Sequence, residues 1–74
     1  MIARILLWDL AESQTTLDEL RTRLPPLPQG DVWISSDARE RFGLISLSGA
    51  LPDLRELVAL IGEEPRVAEE FDVE

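Results

Sequence analysis

Ile2-Ala3-Arg4-Ile5-Leu6-Leu7-Trp8-Asp9-Leu10 is apolar in both of its alternating registers. As an extended strand it turns Ile2, Leu6, Trp8 and Leu10 to one side, with Arg4 among them, and Ala3, Ile5 and Leu7 to the other, ahead of Asp9. A strand of this composition wants cover on two sides, which is the environment of a central sheet strand. The run is too short to span a bilayer, and Arg4 and Asp9 interrupt it.

Downstream, Thr16-Leu17-Asp18-Glu19 has the spacing of a capping box. The helix it opens carries Leu17, Leu20 and Leu24 on one stripe, acids in its first turn and Arg21 and Arg23 near its end, and Pro25 and Pro26 stop it. Pro25 to Gly30 forms a short rigid link into Asp31-Val32-Trp33-Ile34-Ser35, a second strand with Val32 and Ile34 opposite Trp33. Ser36 to Glu40 is polar and turn-like. Phe42 to Ser48 reads as a third strand, with Phe42 and Leu44 opposite Gly43, Ile45 and Leu47, and Gly49 breaks it. Pro52 near a helix start, a stripe of Leu54, Leu57, Val58 and Ile61, and Gly62 with Pro65 predict a second helix and its stop. Val67 to Val73 closes the chain as a fourth strand, with Val67, Phe71 and Val73 on one face and Ala68, Glu70 and Asp72 on the other.

The resulting order, β-α-β-β-α-β, predicts an α+β ferredoxin-like domain over residues 1–74 with a four-stranded antiparallel sheet. The strands apolar on both faces, the first and third, belong in the middle. The acidic fourth strand and the short second strand, which follows a Pro-rich link, have the devices that blunt an edge. Two helices cover one face of such a sheet, so the other face calls for a second copy of the chain, and a homodimer with face-to-face sheets is expected.

Composition narrows the possibilities. A 74-residue chain buries only about 60% of the surface its unfolded form would expose, so a domain this small needs a supplement to its core. With no Cys and no His, neither a disulfide nor a zinc staple can supply it, and association remains. The net charge of −8 argues against nucleic acid and against an anionic membrane surface as partners. All seven basic residues are Arg, which removes Schiff-base chemistry. There is no signal peptide, lipidation motif or membrane-spanning run to read, so a cytoplasmic location is the default expectation.

The side chains that are missing say most about chemistry. Without His, Cys, Tyr, Lys or Asn, the chain cannot assemble a Ser-His-Asp or Cys-His constellation, a His metal ligand or an Asn oxyanion donor. Ser46-Leu47-Ser48-Gly49 matches neither a nucleophile elbow nor a phosphate loop and reads as a strand end entering a turn. The acidic stretch from Glu63 to Glu74 lacks the alternating ligand spacing of a Ca²⁺ loop and reads as a solvated edge; no metal or cofactor is expected. Asp9 is a candidate catalytic base, because burial at the end of an apolar run raises a carboxyl pKa; as a strand-end residue it would instead cap a turn or pair with an Arg. Trp8 and Trp33 are candidate substrate-binding residues, able to floor a pocket for a flat apolar ligand, and equally able to be core or interface residues that need no ligand.

Val32-Trp33-Ile34-Ser35-Ser36, Phe42-Gly43-Leu44-Ile45-Ser46-Leu47 and Val67-Ala68-Glu69-Glu70-Phe71-Asp72-Val73 resemble, in order and spacing, the successive strand segments of the YdhR-like mono-oxygenases. That family belongs to the dimeric α/β-barrel superfamily, which includes the antibiotic-biosynthesis monooxygenases. The resemblance implies a ferredoxin-like subunit in a homodimeric barrel, with a cavity between sheet and helices for a flat aromatic or quinone-like compound that some members oxygenate without metal or organic cofactor. Of the polar residue types those enzymes use, this chain offers Trp alone, with Trp33 at the position that aligns with a family aromatic and Trp8 as its neighbour. Three readings follow: a cofactor-free oxygenase; a non-catalytic homodimeric binding or structural module; and a regulatory domain of the ACT type, which shares only the topology.

Overall fold

The computed structural model describes residues 1–47 and 53–74. Four strands, β1 (Ile2–Asp9), β2 (Asp31–Ser36), β3 (Arg41–Ser46) and β4 (Val67–Asp72), form one sheet in the order β2-β3-β1-β4, and every neighbouring pair is antiparallel. With helices α1 (Leu17–Arg21) and α2 (Leu54–Ile61), the chain is a small α+β protein with the β-α-β-β-α-β order of the ferredoxin-like fold. The two strands that read as apolar on both faces are the central ones. β3 ends at Ser46, so Leu47, expected to continue it, lies just past the strand; Ser48, the expected break at Gly49 and the Pro52 helix start lie outside the described residues.

Local chemistry explains most of the boundaries. Thr16 caps α1, its hydroxyl oxygen accepting the Glu19 N–H at 3.2 Å. The helix is shorter than its leucine stripe suggests: it ends at Arg21, and Thr22 turns its hydroxyl back to donate to the Glu19 carbonyl at 2.7 Å. Leu24 and Leu27 still pack against the core, but from the extended Pro-rich link. At α2, the Asp53 carboxylate accepts the Arg55 N–H at 2.9 Å, and Gly62 closes the helix at φ 93° with its N–H on the Val58 carbonyl. Leu57 and Ile61 are buried, whereas Leu54 stays exposed and Val58 half-buried, so the stripe's effective contact is narrower than its periodicity. Between β2 and β3 a single 3₁₀ turn, Asp37–Arg39, leads to Glu40 in the left-handed conformation at φ 50°. The Arg21 guanidinium ties α1 to this hairpin by hydrogen bonds to Ser35 and Asp37. Its pKa lies above the ordinary arginine value, chiefly because of the bond to Asp37 and that carboxylate's charge.

The core lies between the helices and one face of the sheet. Leu6, Trp8, Leu10, Phe42 and Leu44 meet Leu17, Leu20, Leu57 and Ile61 there. One buried acid joins the sheet's far end, where Asp31 accepts hydrogen bonds from the Ser46 hydroxyl at 2.9 Å and the Leu47 N–H at 3.1 Å. Gly43, opposite Leu7 in the ladder, permits the closest approach in the sheet: a Cβ there would stand 2.6 Å from the Leu6 carbonyl oxygen and 2.6 Å from a Leu7 methyl. Gly43→Ala is expected to destabilise the fold by about 1–3 kcal/mol through overpacking against backbone, read as a lower midpoint in urea denaturation; an unchanged midpoint would show that β1 and β3 can move apart freely.

Candidate functional site

The strand register sorts the side chains into rows. Trp33, Leu44, Leu6 and Ala68 form one row beneath the helices, and Ser35, Phe42 and Trp8 form the next. The three large aromatics are contiguous: Trp33 stacks on Phe42 with ring centroids 5.4 Å apart, and Phe42 meets Trp8 at 6.2 Å. Trp8 is only 1% exposed, and its indole N–H donates to the Glu63 carbonyl at 2.9 Å. Trp33 is half-buried and donates to the Pro25 carbonyl at 3.3 Å. Both indole N–H groups therefore fasten the sheet to the segments that follow α2 and α1. Beneath the helices, the two Trp side chains have the environment of core residues.

The opposite face carries the other rows: Val32, Ile45, Ile5 and Glu69; then Ile34, Gly43, Leu7 and Val67; with Ala3 beside Phe71 further along. Among the described residues no helix covers this side. Val32 is 53% exposed, Phe71 48% and Ile34 37%, and Ile5, Leu7, Ile45 and Val67 are half-buried among them. Within the two central rows the sole ionised group is Glu69, and it stands on the edge strand. The apolar side chains of these rows form a contiguous patch on the helix-free face.

At one end of this face the topology collects charge. β3 and β4 both run antiparallel to β1 and flank it, so their starts lie together beside the end of β1. Arg41 opens β3 directly opposite Asp9, and Arg66, immediately ahead of β4, is pinned by its N–H to the Leu7 carbonyl at 2.8 Å. A hollow of about 270 Å³ opens there, lined by Leu7, Trp8, Asp9, Arg41, Arg66 and Val67. Across Leu7 a second hollow of about 250 Å³ runs over Ile34, Phe42 and Gly43 and shares Arg41. Asp9 is half-buried, and its Oδ1 accepts the Ala11 N–H at 3.0 Å, a turn-capping role.

Of the three residues singled out from sequence, Trp8 and Asp9 share this hollow, while Trp33 lies two strands away from Trp8, across β3. Arg41 and Arg66 were not singled out, yet a basic residue at the start of each strand flanking β1 was the available signal. Among the described residues, no group of three or more His, Cys, Asp or Glu side chains could hold a metal ion, and no helix is long and apolar enough to cross a membrane. Compared with known proteins, the chain matches no family model and no curated sequence.

Proposed function

We propose that the chain works as a homodimeric binding module, two copies pairing their helix-free sheet faces in the two-sheeted barrel that its resemblance to YdhR-like mono-oxygenases implies. The observation that carries this reading is the uncovered apolar face, with Val32, Ile34 and Phe71 exposed around Ile5, Leu7 and Ile45. A flat rectangle of four strands about 4.8 Å apart and six residues long at about 3.3 Å each covers roughly 400 Å². Pairing two of them buries about 800 Å² before side-chain relief is counted, below the roughly 1,000 Å² of a stable interface, so the pairing expected is a weak one. Glu69 sits on an edge strand, where its carboxylate can keep its water at the rim of such an interface.

Equilibrium sedimentation tests the pairing. Over about 1 to 100 µM, a range that brackets a modest interface, the mass is expected to rise from near the 8.3 kDa of one chain to twice that value. A single-chain mass throughout would end the proposal.

One observation favours a second reading, retention of oxygenase chemistry on a flat aromatic or quinone-like compound: Trp8 and Asp9 both border the hollow beside β1. In that reading Asp9 takes a proton from a hydroxyl of the bound ring, leaving an electron-rich anion for oxygen to attack, and Trp8 backs the hollow from the core. The packing of Trp33 and Trp8 against Phe42 beneath the helices favours the non-catalytic reading. Oxygen uptake with a small hydroquinone, lost in Asp9→Asn but not in Glu12→Gln, would reverse that preference.

A further inference from the structure

We infer that the hollow between β1 and β4 is a binding site for an amphipathic carboxylate, a molecule with one anionic head and a flat apolar body. Two guanidinium groups, Arg41 and Arg66, line one hollow on a chain whose net charge is −8. Among the described residues neither makes a salt bridge, whereas Arg4 and Arg21 are engaged with Glu70, Asp18 and Asp37. Asp9 is the sole acid in the lining, and one of its oxygens is already held by the Ala11 N–H, so the lining carries two positive groups against one negative. An arginine fork matches a carboxylate in shape as well as charge.

The remaining apolar walls are the side chains of Leu7 and Val67, which offer a bed next to the two arginines; Trp8 borders the hollow with its ring turned to the core beneath the helices. The neighbouring hollow over Ile34 and Gly43 extends that bed past Leu7, and Arg41 borders both. A head held by Arg66 and Arg41 therefore leaves room for a body of one or two rings lying along the sheet. Arg66 is well placed for this, because its backbone bond to the Leu7 carbonyl fixes where its side chain starts. Leu7 and Val67, with Ile34 and Gly43 of the neighbouring hollow, lie on the face proposed to pair, so the site belongs to the single chain and its ligand competes with a second copy for that surface.

The probe is 2-naphthoate, compared with its neutral analogue 2-naphthamide, each titrated into the full chain and followed by NMR shifts of the Arg66, Val67 and Leu7 amides. Naphthoate is expected to bind at least about tenfold more tightly than the amide, the discrimination of a charged hydrogen bond. Arg66→Gln and Arg41→Gln should each remove most of that preference, while Arg55→Gln, on α2, should leave it intact. Circular dichroism on each variant establishes that it is folded. Equal affinity for acid and amide, a preference that survives both Arg substitutions, or no shifts at the solubility limit would overturn the site. Sedimentation with and without naphthoate separates the two ideas: a chain that is monomeric without ligand and discriminates keeps the site and loses the pairing, a dimer that naphthoate dissociates keeps both, and equal affinity for acid and amide in the monomeric interface variant Ile45→Gln loses the site alone.

Discussion

Trp8→Ala is expected to leave the chain largely unfolded in buffer. The side chain is 1% exposed, faces Phe42, and closes the sheet onto the end of α2 through its bond to the Glu63 carbonyl. Removing a buried Trp costs about 3–5 kcal/mol, from lost burial and the cavity left behind. A core of this size supplies only about 3–5 kcal/mol in total, so the substitution is as large as the quantity it subtracts from. The expected reading is loss of the folded circular dichroism signal without denaturant. Trp8→Phe should stay folded with a lowered midpoint, because a ring still fills most of the space while the Glu63 carbonyl loses its donor. If Trp8→Ala unfolded at nearly the wild-type urea concentration, Trp8 would be a pocket wall and not a core residue, and the ligand readings would regain ground.

The second large effect is expected from Ile45→Asp, and it is one of association. Ile45 lies in the central row of the uncovered face, flanked by Val32 and Ile5. In an isolated subunit a carboxylate there can reach water, so the fold should survive. Between two paired sheets it would be a charge buried without a partner, which costs several kcal/mol, more than a small interface can offset. Sedimentation should give a single-chain mass at every concentration. The thermal midpoint should also stop depending on concentration, since only an associating chain gains stability from mass action. Ile45→Leu should keep the wild-type behaviour. A dimeric Ile45→Asp protein would move the interface away from this face.

The sheet was legible because its information is local and has a period of two. Arg4, Leu6 and Trp8 alternate with Ile5, Leu7 and Asp9, and the same alternation in β2, β3 and β4 assigns each residue to a face once the strand order is known. The caps were legible for a similar reason, as Thr16 and Gly62 act on backbone groups within a few residues. Helix length was harder to read. Leu24 has the right spacing for α1 and does reach the core, but from beyond the helix end, because packing asks only that the side chain arrive. The candidate site was half-legible. Trp8 and Asp9 stood out by type, while Arg41 and Arg66 are 25 residues apart in sequence and become neighbours only through two strands that start at the same end of the sheet.

The two outermost strands differ from the face they border. β4 exposes Glu69, Glu70 and Asp72 along six residues, and β2 follows directly on the stretch from Pro25 to Gly30. A copy that tried to extend the sheet alongside β4 would crowd the carboxylates of Glu69 and Asp72 against those of its neighbour, and like charges brought close oppose pairing. The row of unsatisfied backbone groups that nucleates fibrils is thus guarded by charge on one of the sheet's two edges. Growth by addition of strands is therefore disfavoured at that edge, independently of what the apolar face does.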